Sequence, residues 1–158
     1  MKALSLLDPW ASLVMLLQKG IETRSRYTNY RGPLAIHASK GRAPWHMNLA
    51  WEEPFFSALS PLHRKHENGK AGIQYHLGCV IATGILVDCL YVGISYLSEY
   101  KDGRIIPGTQ IPLPTGNELA FGDYSPGRFA WILKDVRQLP EPVPAKGKLG
   151  LWEWEGVA

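Results

Sequence analysis

Residues 1–158 read as one α+β domain, a small β-barrel with flanking helices. Long β-branched runs interrupted by glycine, such as residues 77–92 with Gly78, Gly84 and Gly93 around them, suit strands that bend around a barrel. Few segments carry the three-and-four spacing of a buried helical face, so helices flank the strands and do not alternate with them, which disfavours a parallel sheet. The length, 158 residues, is that of one ordinary domain, and 46% hydrophobic residues with six tryptophans can furnish its core. No internal repeat, low-complexity tract or linker divides the chain.

The elements follow in order. Residues 2–7 alternate weakly and predict a first strand. Asp8-Pro9 is a helix start, with aspartate at the N-cap and proline at the first helical position. Trp10, Leu13, Val14 and Leu17 then set one apolar face, predicting a helix over 10–18 that Lys19-Gly20 ends. Residues 21–24 alternate as a short strand with Glu22 and Arg24 on one face. A turn at 29–33 precedes a buried strand at 34–38. Trp45, Leu49, Phe55 and Phe56 space a helix over 44–59, broken or bent near Pro54. Residues 63–72 are polar and loop-like, 77–92 form the long curved strand, and 101–128 are expected to be extended and mostly irregular. Residues 129–139 alternate as a strand that Pro140 and Pro142 stop, and the tail at 149–154 returns two tryptophans to the body.

Composition narrows the function classes. The apolar N-terminus has one basic residue, is broken by Asp8-Pro9 and lacks a small-residue cleavage site, so it does not read as a leader. No stretch reaches the roughly 18 apolar residues needed to span a bilayer, so no membrane partner and a cytoplasmic location are expected. Cys79 and Cys89 lie in an apolar run too far apart for a redox pair, which predicts reduced thiols. Net charge is +3, but six cations (Lys19, Arg24, Arg26, Arg31, Lys40, Arg42) against Glu22 make the segment from 19 to 42 +5, leaving −2 elsewhere. Such a cluster on a near-neutral body suits a defined anionic partner, or else a solvated basic face. No phosphate-loop, nucleophile-elbow or H-E-x-x-H motif is present. His63, His66, His76 and Cys79 are metal-ligand types, yet His76 and Cys79 would point to opposite faces of a strand and Arg64 and Lys65 would crowd a dication. No metal and no cofactor are expected.

Two segments, Leu6-Leu7-Asp8-Pro9-Trp10-Ala11-Ser12 and Lys19-Gly20-Ile21-Glu22-Thr23-Arg24, together resemble the opening of ASCH domains, where a Q-P-W-A-like helix start leads into a G-x-K-x-x-E-x-R signature. Tyr30-Arg31-Gly32-Pro33-Leu34-Ala35-Ile36-His37-Ala38 is similar to the strand that follows in that family, and segments at 77–82 and 129–133 resemble its later strands. Here Asp8 replaces the usual glutamine, and Leu17 stands where a glycine precedes the lysine. The resemblance implies a PUA-like β-barrel with a cleft near the K-x-x-E-x-R segment, and roles in RNA or DNA binding. Some family members hydrolyse acetylated cytidine nucleosides. Their signature carries threonine where this chain has Glu22, and no position matches their later catalytic glutamate.

The residues fit a binding role directly. Arg24 can grip phosphate in a fork, Lys19 adds a point charge, and Glu22 can accept from a base amino group. Tyr27 and Tyr30, interleaved with Arg24, Arg26 and Arg31, are the mixture on which bases stack while phosphates are held, and Trp10 is placed to border the cleft. The sequence therefore predicts a module that binds nucleic acid or a nucleotide, RNA before DNA, through Trp10, Lys19, Glu22, Arg24, Arg26, Tyr27, Tyr30 and Arg31. Alternatively, Lys19 and Glu22 serve as catalytic groups in a small hydrolase acting on a modified nucleoside or on RNA. A third use of the basic segment is to meet an acidic protein. Glu22 and Arg24 also suit a structural salt bridge at the barrel mouth.

Overall fold

The computed structural model describes residues 1–156. β1 (Lys2–Leu6) leads into α1 (Trp10–Met15), β2 (Ile21–Arg24) and β3 (Gly32–Ala38). A broken helical stretch follows: α2 (Pro44–Met47), a 3₁₀ turn at Asn48–Trp51, α3 (Phe55–Ala58) and a second 3₁₀ turn at Ser60–Leu62. Next come β4 (His63–Lys65), β5 (Ala71–Ile73), the long β6 (Cys79–Gly93) and β7 (Tyr96–Ser98). The chain ends with β8 (Tyr100–Lys101), β9 (Arg104–Ile105), β10 (Ile111–Pro112), α4 (Gly116–Ala120), β11 (Phe129–Pro144) and β12 (Leu151–Glu153).

One eight-stranded sheet carries the fold, with β12, β1, β3 and β6 in sequence, β11 on the other side of β6, and β2 beyond β11. β1 and β3 run parallel, with Leu4 opposite Ile36; the ladders of β6 with β3, β11 and β7 are antiparallel. Among the described residues no ladder joins β2 back to β12. The result is one compact, sheet-rich α+β unit, and the closed barrel expected from the glycine pattern is not formed by its hydrogen bonds. Alternation along β1 sends Leu4 to the main core and Ala3 to the opposite face. Leu13 and Val14 of α1 are buried with Leu4, Leu34, Ile81 and Leu86. Ala3 packs instead with Ala35, Val80, Trp152 and Trp154.

The bends in the long strands have local causes. The β6–β11 ladder shifts register between Lys134 and Arg137, where Asp135 has a φ of 50°. Gly84 faces this bulge: a Cβ there would lie 3.0 Å from Val136 Cγ2 and 3.1 Å from the Lys134 carbonyl oxygen. β11 runs on past Pro140 and Pro142, which were expected to stop it. They lie within the last of three register shifts, between Gln138 and Val143, where β6 asks for no N–H, and β2 pairs only as far as Ile132. The polar segment at 63–72, expected as a loop, opens with β4 and reaches β5, forming a hairpin with His63 opposite Ile73. The stretch 101–128 holds more structure than expected. Asp102 and Gly103, with φ of 50° and 77°, make the tight turn between β8 and β9, and α4 follows.

α1 is shorter than its apolar spacing predicts and ends at Met15. Its N-cap is Pro9, one residue later than expected, and Asp8 just before it still anchors the first turn, its Oδ1 accepting the Ser12 amide at 2.9 Å. Its end is a Schellman turn: the Gln18 amide donates to the Leu13 carbonyl at 2.9 Å and the Leu17 amide to that of Val14 at 3.1 Å. That motif needs a left-handed residue after the cap, and here it is Leu17, with a φ of 60° and a side chain left in solvent. An L-residue with a Cβ is disfavoured in that conformation by about 1 kcal/mol or more. Leu17→Gly is therefore expected to raise the free energy of unfolding by about 1 kcal/mol in urea denaturation. An equal or lower stability would contradict the assignment of strain to this turn.

Candidate functional site

The turn at Leu17 delivers Lys19 into the protein. Its side chain is 1% exposed, and its ammonium donates to the Ile21 carbonyl and to Glu22 Oε2, the latter at 2.9 Å. A lysine cation at such depth is tolerated when it is paired and hydrogen-bonded. Glu22 is itself only 12% exposed, and its second oxygen, Oε1, lies 4.0 Å from Arg24 Nη1. Strand periodicity puts Glu22 and Arg24 on the same face of β2, so the ion pair aims both toward one side. From the other side Glu118 of α4 accepts the Gly20 and Ile21 amides, each at 2.9 Å. The segment from Lys19 to Glu22 is thus gripped by a carboxylate that lies some hundred residues further along the chain.

Above this segment opens a cleft of about 600 Å³ between the end of β1, the start of α1, β2, α2 and residues 120–123. Its chemistry comes from Trp10, Glu22, Arg24, Trp45, Asp123 and Arg128. Trp10 and Trp45 have ring centroids 5.8 Å apart, and Trp45 is 65% exposed, an unusual state for so large an apolar ring. Their positions are set beneath them. His46 is buried, and its Nε2 accepts the Ala43 amide at 3.0 Å, which leaves the proton on Nδ1 to donate to the Asp8 carbonyl at 2.7 Å. One residue, Asp8, therefore holds the first turn of α1 through its carboxyl and α2 through its carbonyl. Burial pushes that carboxyl above the usual aspartate range, against the Ser12 hydrogen bond and the nearby His76 and His46.

The opposite wall is built from the residues before β11. Arg128 donates from Nη2 to the Thr23 carbonyl at 3.1 Å and from Nε to that of Asp123 at 3.2 Å. The Asp123 amide in turn donates to Thr23 Oγ1 at 2.9 Å. Asp123 is held below the ordinary aspartate value by hydrogen bonds from Ser125, with Arg128 adding to the effect. Arg24 lies over the Trp131 ring at 5.8 Å, while the Trp131 indole donates to the Arg26 carbonyl at 3.1 Å.

The residues singled out in the sequence divide into two groups. Trp10, Glu22 and Arg24 line the cleft, with Lys19 beneath them. Arg26, Tyr27, Tyr30 and Arg31 do not line it. Tyr27 packs in an aromatic cluster, 5.1 Å from Tyr100 and 5.7 Å from Phe129, so it offers no free stacking face beside Arg24. Tyr30 spends its hydroxyl on the Pro33 carbonyl at 2.5 Å. Arg31 donates to the carbonyls of Thr28 and Tyr30 and lies 3.5 Å from Asp88. Arg26 is exposed. Trp45, Glu118, Asp123 and Arg128 were missed. Trp45 carries only a helical spacing in the sequence, and Arg128 ends a segment expected to be irregular. The two thiols are free, and burial pushes that of Cys89 up to about 11. Among the described residues, no helix is long and apolar enough to cross a membrane.

No family model matches the sequence. The chain is similar to Activating signal cointegrator 1 of Mus musculus, at 25% identity over 150 residues that cover 95% of this chain. It spans only 22% of the length of that curated relative.

The depth of the ion pair has a measurable consequence. Glu22→Leu would leave the Lys19 ammonium buried without its anion and is expected to cost about 3 kcal/mol of stability. Adding Lys19→Met should recover most of that loss, since neither charge then remains. Urea denaturation of the two variants checks this. A Glu22→Leu protein as stable as the parent would contradict the buried pair.

Proposed function

We propose that this chain is an ASCH-type, PUA-like domain that binds nucleotides or RNA, receiving one unstacked base in the cleft that Trp10 and Trp45 line. The observation that carries the reading is the exposed Trp45 ring beside Trp10, with Arg24, Arg128 and Glu22 on the facing walls. Stacking on such a ring contributes about 1–3 kcal/mol per base and does not depend on which base it is. Glu22 supplies an acceptor for a base amino group, and the guanidinium groups supply forked donors for phosphate. The similarity to Activating signal cointegrator 1 points the same way as the resemblance of the Lys19–Arg24 motif to ASCH domains. A cytoplasmic location suits such ligands.

Binding fits the geometry better than hydrolysis. A lysine acting as base or nucleophile must present a free amine to substrate. The Lys19 ammonium instead lies under the cleft floor, with a carbonyl and a carboxylate as acceptors. Its charge reaches a ligand through Glu22 and Arg24, whose positions it sets.

Titration of the protein with a nucleoside 5′-monophosphate, followed by calorimetry, tests the reading. Trp45→Ala and Arg24→Ala are each expected to weaken binding about tenfold or more while leaving stability nearly unchanged. Wild-type affinity in both variants would rule the cleft out as the binding site.

A further inference from the structure

A second groove adjoins the first. It runs from the end of β1 across the end of β3 to residues 144–150 and encloses about 1000 Å³. Ser5, Leu7 and Arg24 line both grooves, so the two are continuous at Arg24. The charged side chains along it are Arg24, Lys40, Lys146 and Lys148, and no aspartate or glutamate lines it. Among the described residues none of these three lysines has a carboxylate partner, although the protein carries 14 acidic residues that could have supplied one.

The groove is built, and not merely a gap between loops. Residues 145–147 are tied down: the Ala145 amide donates to the Gly78 carbonyl at 3.0 Å, and the Ala145 carbonyl accepts from His37 Nε2 at 3.0 Å. With Nε2 donating, His37 Nδ1 accepts from Ser5 Oγ at 3.0 Å, and Ser5 Oγ accepts the Trp152 indole at 3.1 Å. Gly147 sits so close to this network that a Cβ would lie 2.5 Å from His37 Cε1 and 2.7 Å from Ser5 Oγ. Gly78, at a φ of 76°, plays the same part for Lys40, whose Cε would be 2.5 Å from an added Cβ. The stem of Lys40 is therefore laid across Gly78, at the groove that Lys40 lines.

From this we infer that the second groove is a phosphate-backbone track, and that the ligand is a single-stranded polynucleotide rather than a free nucleoside. The inference rests on the base-binding reading of the Trp10–Trp45 cleft and extends it. A base enters that cleft only if it is unstacked, which a single strand allows and a duplex resists. Its flanking phosphates then pass Arg24 into a channel of unpaired cations, the arrangement that follows a backbone without reading sequence. Three lysines without a carboxylate partner, in line with Arg24, are more than one nucleoside monophosphate can use.

The test compares a nucleoside 5′-monophosphate with short single-stranded RNA and DNA oligomers on the intact chain and on Lys40→Gln/Lys146→Gln/Lys148→Gln. All three lysines are exposed, so the variant is expected to melt with the parent. Oligomer affinity should exceed mononucleotide affinity, fall with salt with a log–log slope of about −3, and drop at least about tenfold in the variant, with a slope shallower by about 2. The mononucleotide should lose far less. Oligomer binding that the triple substitution leaves unchanged, or an oligomer that binds no tighter than the mononucleotide, would overturn the track. Lysine-dependent oligomer binding without any mononucleotide binding would support the track and overturn the cleft reading. Binding of neither ligand by the parent would overturn both.

Discussion

A lysine ammonium sealed from solvent obliges its surroundings to supply acceptors, and the neighbourhood of Lys19 is organised by that requirement. The Ile21 carbonyl and the Glu22 carboxylate meet it from β2, the strand that follows the lysine. Meeting it fixes the direction in which β2 leaves the turn. Glu118 then locks the same backbone from α4, so a segment of only a few residues is determined from both sides. Glu22 and Arg24 reach the cleft as a consequence. The strained Leu17 conformation belongs to the same arrangement, because the Schellman turn it completes is what brings Lys19 inward.

The opposing wall depends on a second buried group. Asp8 holds α1 and, through His46, α2, and these two short helices present Trp10 and Trp45. Two polar anchors therefore flank one cleft, and each is buried while the residues it orients stay accessible. This division separates the buried groups that shape the cleft from those that line it. In the proposed binding role, Lys19 and Asp8 position the site, and Trp10, Trp45, Glu22, Arg24 and Arg128 are the groups offered to the ligand.

Much of the scaffold was legible because local chemistry and tertiary structure agree there. The apolar spacing from Trp10 to Val14, the alternation of residues 21–24 and the glycine-marked run into β6 each emerge as the element expected. Elsewhere tertiary context overrode local rules. Pro140 and Pro142 stop a strand only where a neighbour needs their N–H groups, and the bulge removes that need. Asp102-Gly103 carried a hairpin signal that was passed over in a segment read as irregular. The site was legible along β2, where one strand carries Glu22 and Arg24. It was not legible at Trp45, Glu118, Asp123 and Arg128, because nothing local announces contacts made across so much of the chain. The interleaved tyrosines and arginines at 26–31 misled for the same reason: their partners, Tyr100, Phe129 and Asp88, arrive from distant strands.

The indole N–H signals of the six tryptophans, followed by NMR during titration with a short single-stranded RNA, report on the cleft itself. If the ligand enters the cleft beside Trp10 and Trp45, those two signals shift saturably while that of Trp154, buried on the far face of the sheet, stays in place. Saturable binding that moves Trp154 and leaves Trp10 and Trp45 unchanged would contradict the assignment of the cleft.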